Sequence, residues 1–216
     1  MKIFLDTAET DVVRKHWKTG LIDGLTTNPS LIRKSGRKHE EVYQEFKAIG
    51  LTDISMEVIG NTENMISEGK RLHKKFGKCS TIKVPCTYEG LQACAHLSVE
   101  GIKVNVTLIF SQAQAILAAK AGAKYVSPFV GRVDDNSFGG LCLVKDIAKV
   151  YREHMVTKTE VLAASLRGVR DVGRAFEYGA DIVTMPPAVF EGMYNHILTD
   201  KGLDQFDKDY EASIQQ

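Results

Sequence analysis

Residues 80–85 read Ser80-Thr81-Ile82-Lys83-Val84-Pro85. The central four, 81–84, form a short apolar run that stops at a proline, which reads as a strand too brief to be a helix. Side chains alternate along a strand, so Ile82 and Val84 face one way and Lys83 the other. Seven more runs of this kind stand at 2–6, 23–27, 54–58, 102–107, 124–127, 161–165 and 181–184. Each is rich in Ile, Val, Leu or Ala, as a strand buried on both faces should be.

Helical patterns fill the intervals. Residues 62–76 carry Met65, Ile66, Gly69, Leu72 and Phe76 at helical spacing, with Thr62 as the expected N-cap. Residues 111–121 are alanine-rich and open on Ser111, another capping residue; 141–154, 169–178 and 187–197 follow the same logic. Gly20, Gly50, Gly77, Gly101, Gly122 and Gly179 stand at helix-to-strand joints, where a helix end favours glycine. Strand and helix in alternation imply a parallel sheet, and eight such units imply an α/β fold, a (β/α)8 TIM barrel. A doubly wound open sheet competes, but neither G-x-G-x-x-G nor a P-loop is present. No linker or low-complexity segment divides residues 1–216, so one barrel domain is expected. After the eighth unit, residues 202–216 place Leu203, Phe206, Tyr210 and Ile214 on one stripe. This extra C-terminal helix is expected to pack against its own barrel or a neighbouring subunit.

Composition excludes several classes. Among 216 residues, 44% are hydrophobic and 25% charged, and the formal net charge is +1. That balance offers no bulk attraction for nucleic acid or an anionic membrane. No apolar run approaches the roughly 20 residues of a membrane span, and an aspartate at the sixth residue comes too early for a secretory core. Neither nucleic-acid nor membrane partners are expected, and the location expected is cytoplasmic. Cys79, Cys86, Cys94 and Cys142 form no C-x-x-C pair and read as reduced structural residues, with a nucleophilic Cys86 as the alternative. No Asp/His cluster has metal spacing, so no metal site is expected. The six histidines fall on helices or loops away from the strand ends and read as structural or surface residues.

A barrel of this type works at the C-terminal ends of its strands. Those ends supply Asp6 from the first run, Thr26, Thr27 and Asn28 from the second, Glu57 from the third, Lys83 from the fourth, and Asn105 and Thr107 from the fifth. Ser127 ends the sixth with Arg132 beyond it, and Ser165 ends the seventh with Arg167 beyond it. Taken singly, each has a plain structural use. Lys83 can snorkel, Asp6 can cap a helix, Thr26 and Asn28 can build the turn before Pro29, and the arginines can be surface charges. Their convergence on one rim favours a site. An ammonium in a low-dielectric site loses hydration, which favours the free amine, and a free amine forms a Schiff base with a ketone. Asp6 and Glu57 offer carboxylates for proton transfer, and the pairs Ser127/Arg132 and Ser165/Arg167 suit a phosphate.

FLDTA (4–8), TTNPSL (26–31), MEV (56–58), IKVP (82–85), NVTLIFS (105–111), SPFVGR (127–132) and AASLR (163–167), in this order, resemble the transaldolase family. The match is closest to its small subfamily, which also holds fructose-6-phosphate aldolases. The resemblance implies a cofactor-free class I aldolase mechanism in the pentose phosphate pathway. Lys83 would be the Schiff-base lysine, Asp6 the acid/base aspartate, and Glu57 with Thr107 the pair that positions a catalytic water. Asn105 would stand beside the imine, with Asn28, Ser127, Arg132, Ser165 and Arg167 holding the sugar phosphate. Glu57 and Phe129 are the transaldolase-like choices, where aldolase members tend to carry glutamine and tyrosine; the alternative activity is therefore release of free dihydroxyacetone. A sugar-phosphate-binding barrel without catalysis is the remaining alternative. The chain departs from the family pattern at Gly131 and over 135–138. The resemblance also implies a homo-oligomer, pentamer or decamer.

Overall fold

The computed structural model describes residues 1–214. Eight parallel strands close into a barrel in chain order: β1 (Lys2–Asp6), β2 (Gly24–Thr26), β3 (Ile54–Glu57), β4 (Ser80–Pro85), β5 (Val104–Ile109), β6 (Tyr125–Pro128), β7 (Glu160–Ala163) and β8 (Ile182–Met185). Closure pairs β8 with β1, Phe4 against Thr184 and Leu5 against Met185. All eight strands expected from the sequence are present, each within a few residues of its expected bounds. Two ends differ for backbone reasons. β5 runs to Ile109 because its register with β6 shifts between Val106 and Ile109, where Leu108 takes φ 59°. β7 stops at Ala163; Ala164 adds a single bridge to Phe129, and Ser165 then turns the chain away at φ 60°.

The helices are α1 (Thr10–Trp17), α2 (Pro29–Ser35), α3 (His39–Ile49), α4 (Thr62–Phe76), α5 (Tyr88–Val99), α6 (Gln112–Lys120), α7 (Val130–Asp134), α8 (Gly140–Glu153), α9 (Val169–Glu177), α10 (Pro187–Gly192) and α11 (Ile197–Ile214). α4 buries Met65, Gly69, Leu72 and Phe76, the stripe read from its spacing. Its N-cap is Asn61 rather than Thr62: the Asn61 side chain accepts from the Asn64 amide at 2.9 Å, a role asparagine fills well. Ser111 caps α6 as expected, accepting from the Gln114 amide. α3 ends on Gly50, whose φ of 108° lets its amide turn back onto the carbonyls of Lys47 and Phe46.

Burial divides the interior in two. Outward strand residues such as Ile82, Val84, Val104, Val106, Val126 and Val183 join the helices in one large core. Inside the barrel a smaller plug forms from Phe4, Tyr125, Leu162, Ala164 and Ile182. The plug fills the lower barrel beside a buried polar cluster in which Asp53 accepts from Thr81, Tyr125 and Lys103.

α11 begins five residues before the expected 202, because Gly202 is accommodated within the helix rather than ending a turn; residues 215–216 of that expectation lie outside the described residues. α11 buries none of its residues, and Leu203, Phe206, Tyr210 and Ile214 stay exposed. Packing on its own barrel, one of the two expected outcomes, is thus not what the fold adopts. The helix expected over 187–197 ends at Gly192 and the chain turns before α11. Among the described residues, no helix is long and apolar enough to cross a membrane.

Candidate active site

The inward positions at the C-terminal ends of the strands stack in two layers. Thr26, Lys83, Ser127 and Thr184 come one from each even-numbered strand; Asp6, Glu57 and Thr107 come from odd-numbered strands, with Ala164 just beyond the end of β7. Layers contributed by alternate strands are the packing rule of this barrel. Here the layers enclose a cavity of about 130 Å³ bordered by Asp6, Thr26, Lys83, Thr107, Ser127, Ala164 and Thr184. Asn28, Phe129, Arg132 and Ser165 border the same cavity from the loops above.

Lys83 is only 5% exposed. Its ammonium donates to the Thr27 carbonyl at 2.9 Å and lies 3.0 Å from Glu57 Oε2. The Glu57 contact is an ion pair without hydrogen-bond geometry, and the buried Oε2 has no other partner. A buried ammonium is tolerable because a carboxylate and a carbonyl replace its water. Asp6 receives a hydrogen bond from Thr26 Oγ1 at 2.7 Å. Burial pushes the Asp6 carboxyl above its ordinary value, with the Lys83 charge and the Thr26 bond pulling the other way and Glu57 adding to the rise.

Asn105, beside Lys83 in the β4–β5 register, is fully buried and does not border the cavity. Its amide is oriented from both ends: Ser127 Oγ donates to Oδ1 at 2.7 Å, and Nδ2 donates to Ser55 Oγ at 3.2 Å. Thr107 Oγ1 is buried and unpaired at the cavity edge, a placement that leaves its hydroxyl free for a molecule in the cavity. Asn28 does two jobs: its Oδ1 caps α2 by accepting from the Leu31 amide at 3.0 Å, while the residue borders the cavity. Arg132 lays its guanidinium 4.9 Å from the centre of the Phe129 ring, and Phe129 in turn meets Phe110 edge-on. Gly131 is held against the Ser165 carbonyl, which a side chain there would strike at 2.4 Å.

Arg167 stands apart from the rest. Its guanidinium forks onto the Asp135 carboxylate on the surface and does not border the cavity. The hydrogen bonds from Arg167, helped by its charge, hold the Asp135 carboxyl below the usual range. Glu57 is also absent from the small cavity's border and reaches Lys83 from the side, where a wider groove of about 1020 Å³ runs between α3 and α4. That groove's arginines are already paired, Arg37 with Glu45 and Arg71 with Glu40 and Glu68, and Lys83 does not face it.

Sequence reasoning missed Thr184 and Ser55. Parity would have found both, since Thr184 follows Ile182 by two along β8 and Ser55 precedes Glu57 by two along β3. Cys86, the alternative nucleophile, approaches the Gln114 carbonyl at 4.0 Å and does not border the cavity. Burial pushes its thiol up, which makes the thiolate scarcer. Among the described residues, no group of three or more His, Cys, Asp or Glu side chains is arranged to hold a metal.

The chain is similar to known proteins over nearly its whole length. The family model described as transaldolase/fructose-6-phosphate aldolase matches residues 3–216. A probable transaldolase of Caulobacter vibrioides is 51% identical over 216 residues, covering 100% of this chain and 99% of that protein. One from Nitrosopumilus maritimus is 48% identical over 212 residues, covering 98% and 95%. Among solved structures, a variant of flavocytochrome b2 superposes with a TM-score of 0.64 at 15% identity, over 86% of this chain and 56% of that one. At that identity the likeness is one of barrel fold alone.

Proposed function

Since the chain belongs to the transaldolase/fructose-6-phosphate aldolase family, we propose that it moves a dihydroxyacetone unit from a ketose phosphate to an aldose phosphate through a Schiff base on Lys83. The observation that carries this reading is a lysine 5% exposed, on a strand, bordering a polar cavity and flanked by carboxylates. Glu57, 3.0 Å from the ammonium, is within reach to take the proton that must leave before the amine can attack. The Lys83 nitrogen then adds to the C2 ketone of fructose 6-phosphate or sedoheptulose 7-phosphate, and loss of water gives the protonated imine. Asp6 takes the proton of the C4 hydroxyl, the C3–C4 bond breaks, and the electron pair passes into the imine as an enamine. The aldose phosphate leaves; a second one, erythrose 4-phosphate or glyceraldehyde 3-phosphate, accepts the unit. Addition and loss of water at the imine carbon fall to Glu57 and the unpaired Thr107 hydroxyl.

Asn105 is held rigid by Ser55 and Ser127 beside Lys83, which suits a donor to the substrate hydroxyls at the imine. Thr26 and Asn28 line the sugar's path. Phosphate recognition rests on Arg132 and Ser165 at the cavity mouth, with Arg167 joining when it is released from Asp135. Phe129 puts no acid near the enamine, so the enamine waits for an aldehyde rather than taking a proton. The uncovered stripe on α11 supports assembly into a homo-oligomer.

The test is borohydride reduction with fructose 6-phosphate followed by mass spectrometry, with and without erythrose 4-phosphate. A dihydroxyacetone-mass adduct on Lys83 that disappears with acceptor, as sedoheptulose 7-phosphate forms, is the expected result. Steady release of free dihydroxyacetone would assign the chain to the aldolase activity instead, and the absence of any adduct would sink the Schiff-base reading.

A further inference from the structure

Two threonines and one carboxylate form a chain across three adjacent strands. Thr26 Oγ1 on β2 lies 2.7 Å from Asp6 Oδ1 on β1 and 2.7 Å from Thr184 Oγ1 on β8. Both threonines are buried, and Thr184 itself makes no contact with Asp6 among the hydrogen bonds of the site. A threonine hydroxyl has one hydrogen to give, and an ionised carboxylate only accepts. When Asp6 is ionised, the Thr26 hydrogen therefore goes to Asp6. The contact between the two hydroxyls then has only one donor left, Thr184. The order is directional: Thr184 donates to Thr26, and Thr26 donates to Asp6.

Hydrogen bonds in series polarise one another, each strengthening the next. The Thr184 hydroxyl thus favours the charged form of a carboxylate that it does not touch. We propose that Thr184 is a positioning residue of the reaction, keeping Asp6 ionised and its oxygen aimed by donating through Thr26. This rests on the reading of Asp6 as the base that takes the C4 hydroxyl proton.

The other charged groups facing Asp6 make the hydroxyl chain consequential. Lys83 on β4 and Arg132 on α7 are the cations of the cavity, and Glu57 on β3 is the other anion. Lys83 is the chief cation favouring ionised Asp6. The amine that attacks the ketone carries no charge, so at that stage, with its proton on Glu57, neither the Lys83 nor the Glu57 charge acts on Asp6 and burial alone opposes ionisation. The two-threonine chain does not depend on the state of Lys83. Its position is set by closure of the barrel, which brings β8 against β1.

The experiment is the acid limb of the kcat/KM profile for transfer from fructose 6-phosphate to erythrose 4-phosphate. Wild type, Thr184→Val, Thr184→Ser and Asp6→Asn are compared, each with its melting temperature as a check of folding. Valine keeps the branched shape on a buried strand and removes only the hydroxyl; Thr184→Ala serves if valine does not fold. The limb is expected to move up by about 0.5 pH unit in Thr184→Val, on a strengthening of about 10–30% in a charge-assisted bond, and to return in Thr184→Ser. A purely structural role for Thr184 would not move it. An unmoved limb in a folded Thr184→Val protein, with Asp6→Asn inactive, overturns the proposal and leaves Asp6 as the base. An acid limb that survives in Asp6→Asn overturns the base itself, and the proposal with it.

Discussion

Replacing Arg132 is expected to separate the proposed phosphate recognition from chemistry. The Arg132 guanidinium lies over the Phe129 ring at 4.9 Å and borders the cavity beside Ser165, while Arg167 is tied to Asp135. Arg132 is therefore the cation already facing the mouth. A guanidinium meets a phosphate through two charge-assisted bonds, each worth about 1.5–3 kcal/mol. Arg132 is exposed, so water recovers part of that, and a net loss of about 1.5–3 kcal/mol converts to about 10–100-fold. In the proposed reaction the interaction would be the same in ground and transition states, because the phosphate is remote from the bond that breaks. Arg132→Ala is thus expected to raise KM for fructose 6-phosphate by that factor with kcat nearly unchanged. Arg132→Lys keeps the charge but not the fork and is expected to recover only part of the loss. The assay compares kcat/KM for fructose 6-phosphate and for unphosphorylated fructose at constant ionic strength. The preference for the phosphorylated sugar should collapse by the same factor that KM rises. An equal loss on both sugars would refute the reasoning, because it would mean that Arg132 supports the cavity rather than reads the phosphate.

Phe129→Tyr brings a phenol to the cavity border and is expected to raise release of free dihydroxyacetone by at least tenfold, since a placed acid contributes about 10²–10⁴-fold; unchanged release in an enzymatic dihydroxyacetone assay would count against the stated role of Phe129. Asp6→Asn is expected to abolish transfer while stabilising the fold at neutral pH. The folded-state Asp6 carboxyl is raised by burial, so the folded chain binds its proton more tightly than the unfolded chain does. Its contribution to stability is therefore present at low pH and lost as pH rises through the window between the ordinary and the raised value. The melting temperatures of variant and wild type should converge toward acid pH and separate above that window; a constant gap would contradict the assignment. Gly24→Ala tests the barrel plug: an added methyl would meet the Phe4 ring at 2.6 Å and the Asp53 carbonyl at 2.9 Å. Overpacking of this kind costs about 1–3 kcal/mol, a fall in melting temperature of about 2–4 °C per kcal/mol at this chain length, and an unshifted melt would show that β2 can move aside.

The arrangement of strands, and which face of each carries polar groups, were legible because a strand's periodicity of two is a local property. Asp6, Thr26, Lys83, Thr107 and Ser127 could be placed on a common rim from parity and position alone, and the structure brings all five to one cavity. Helix caps were less legible: Thr62 and Asn61 are both capping residues, and which one turns out of the helix depends on how the β3–α4 loop enters. Only the tertiary structure decided what each polar group touches. Arg167 reads as a partner of Ser165 in sequence, but the end of α7 carries Asp135 within its reach. Asn28 caps α2 and borders the cavity at once, which its place before Pro29 did not reveal. Thr26 and Thr184 are 158 residues apart, and nothing local in either segment says they meet. Barrel closure, through the tilt and stagger of eight strands, fixes that distance, whereas the alternation of side chains along each strand needs only the chain's own covalent geometry.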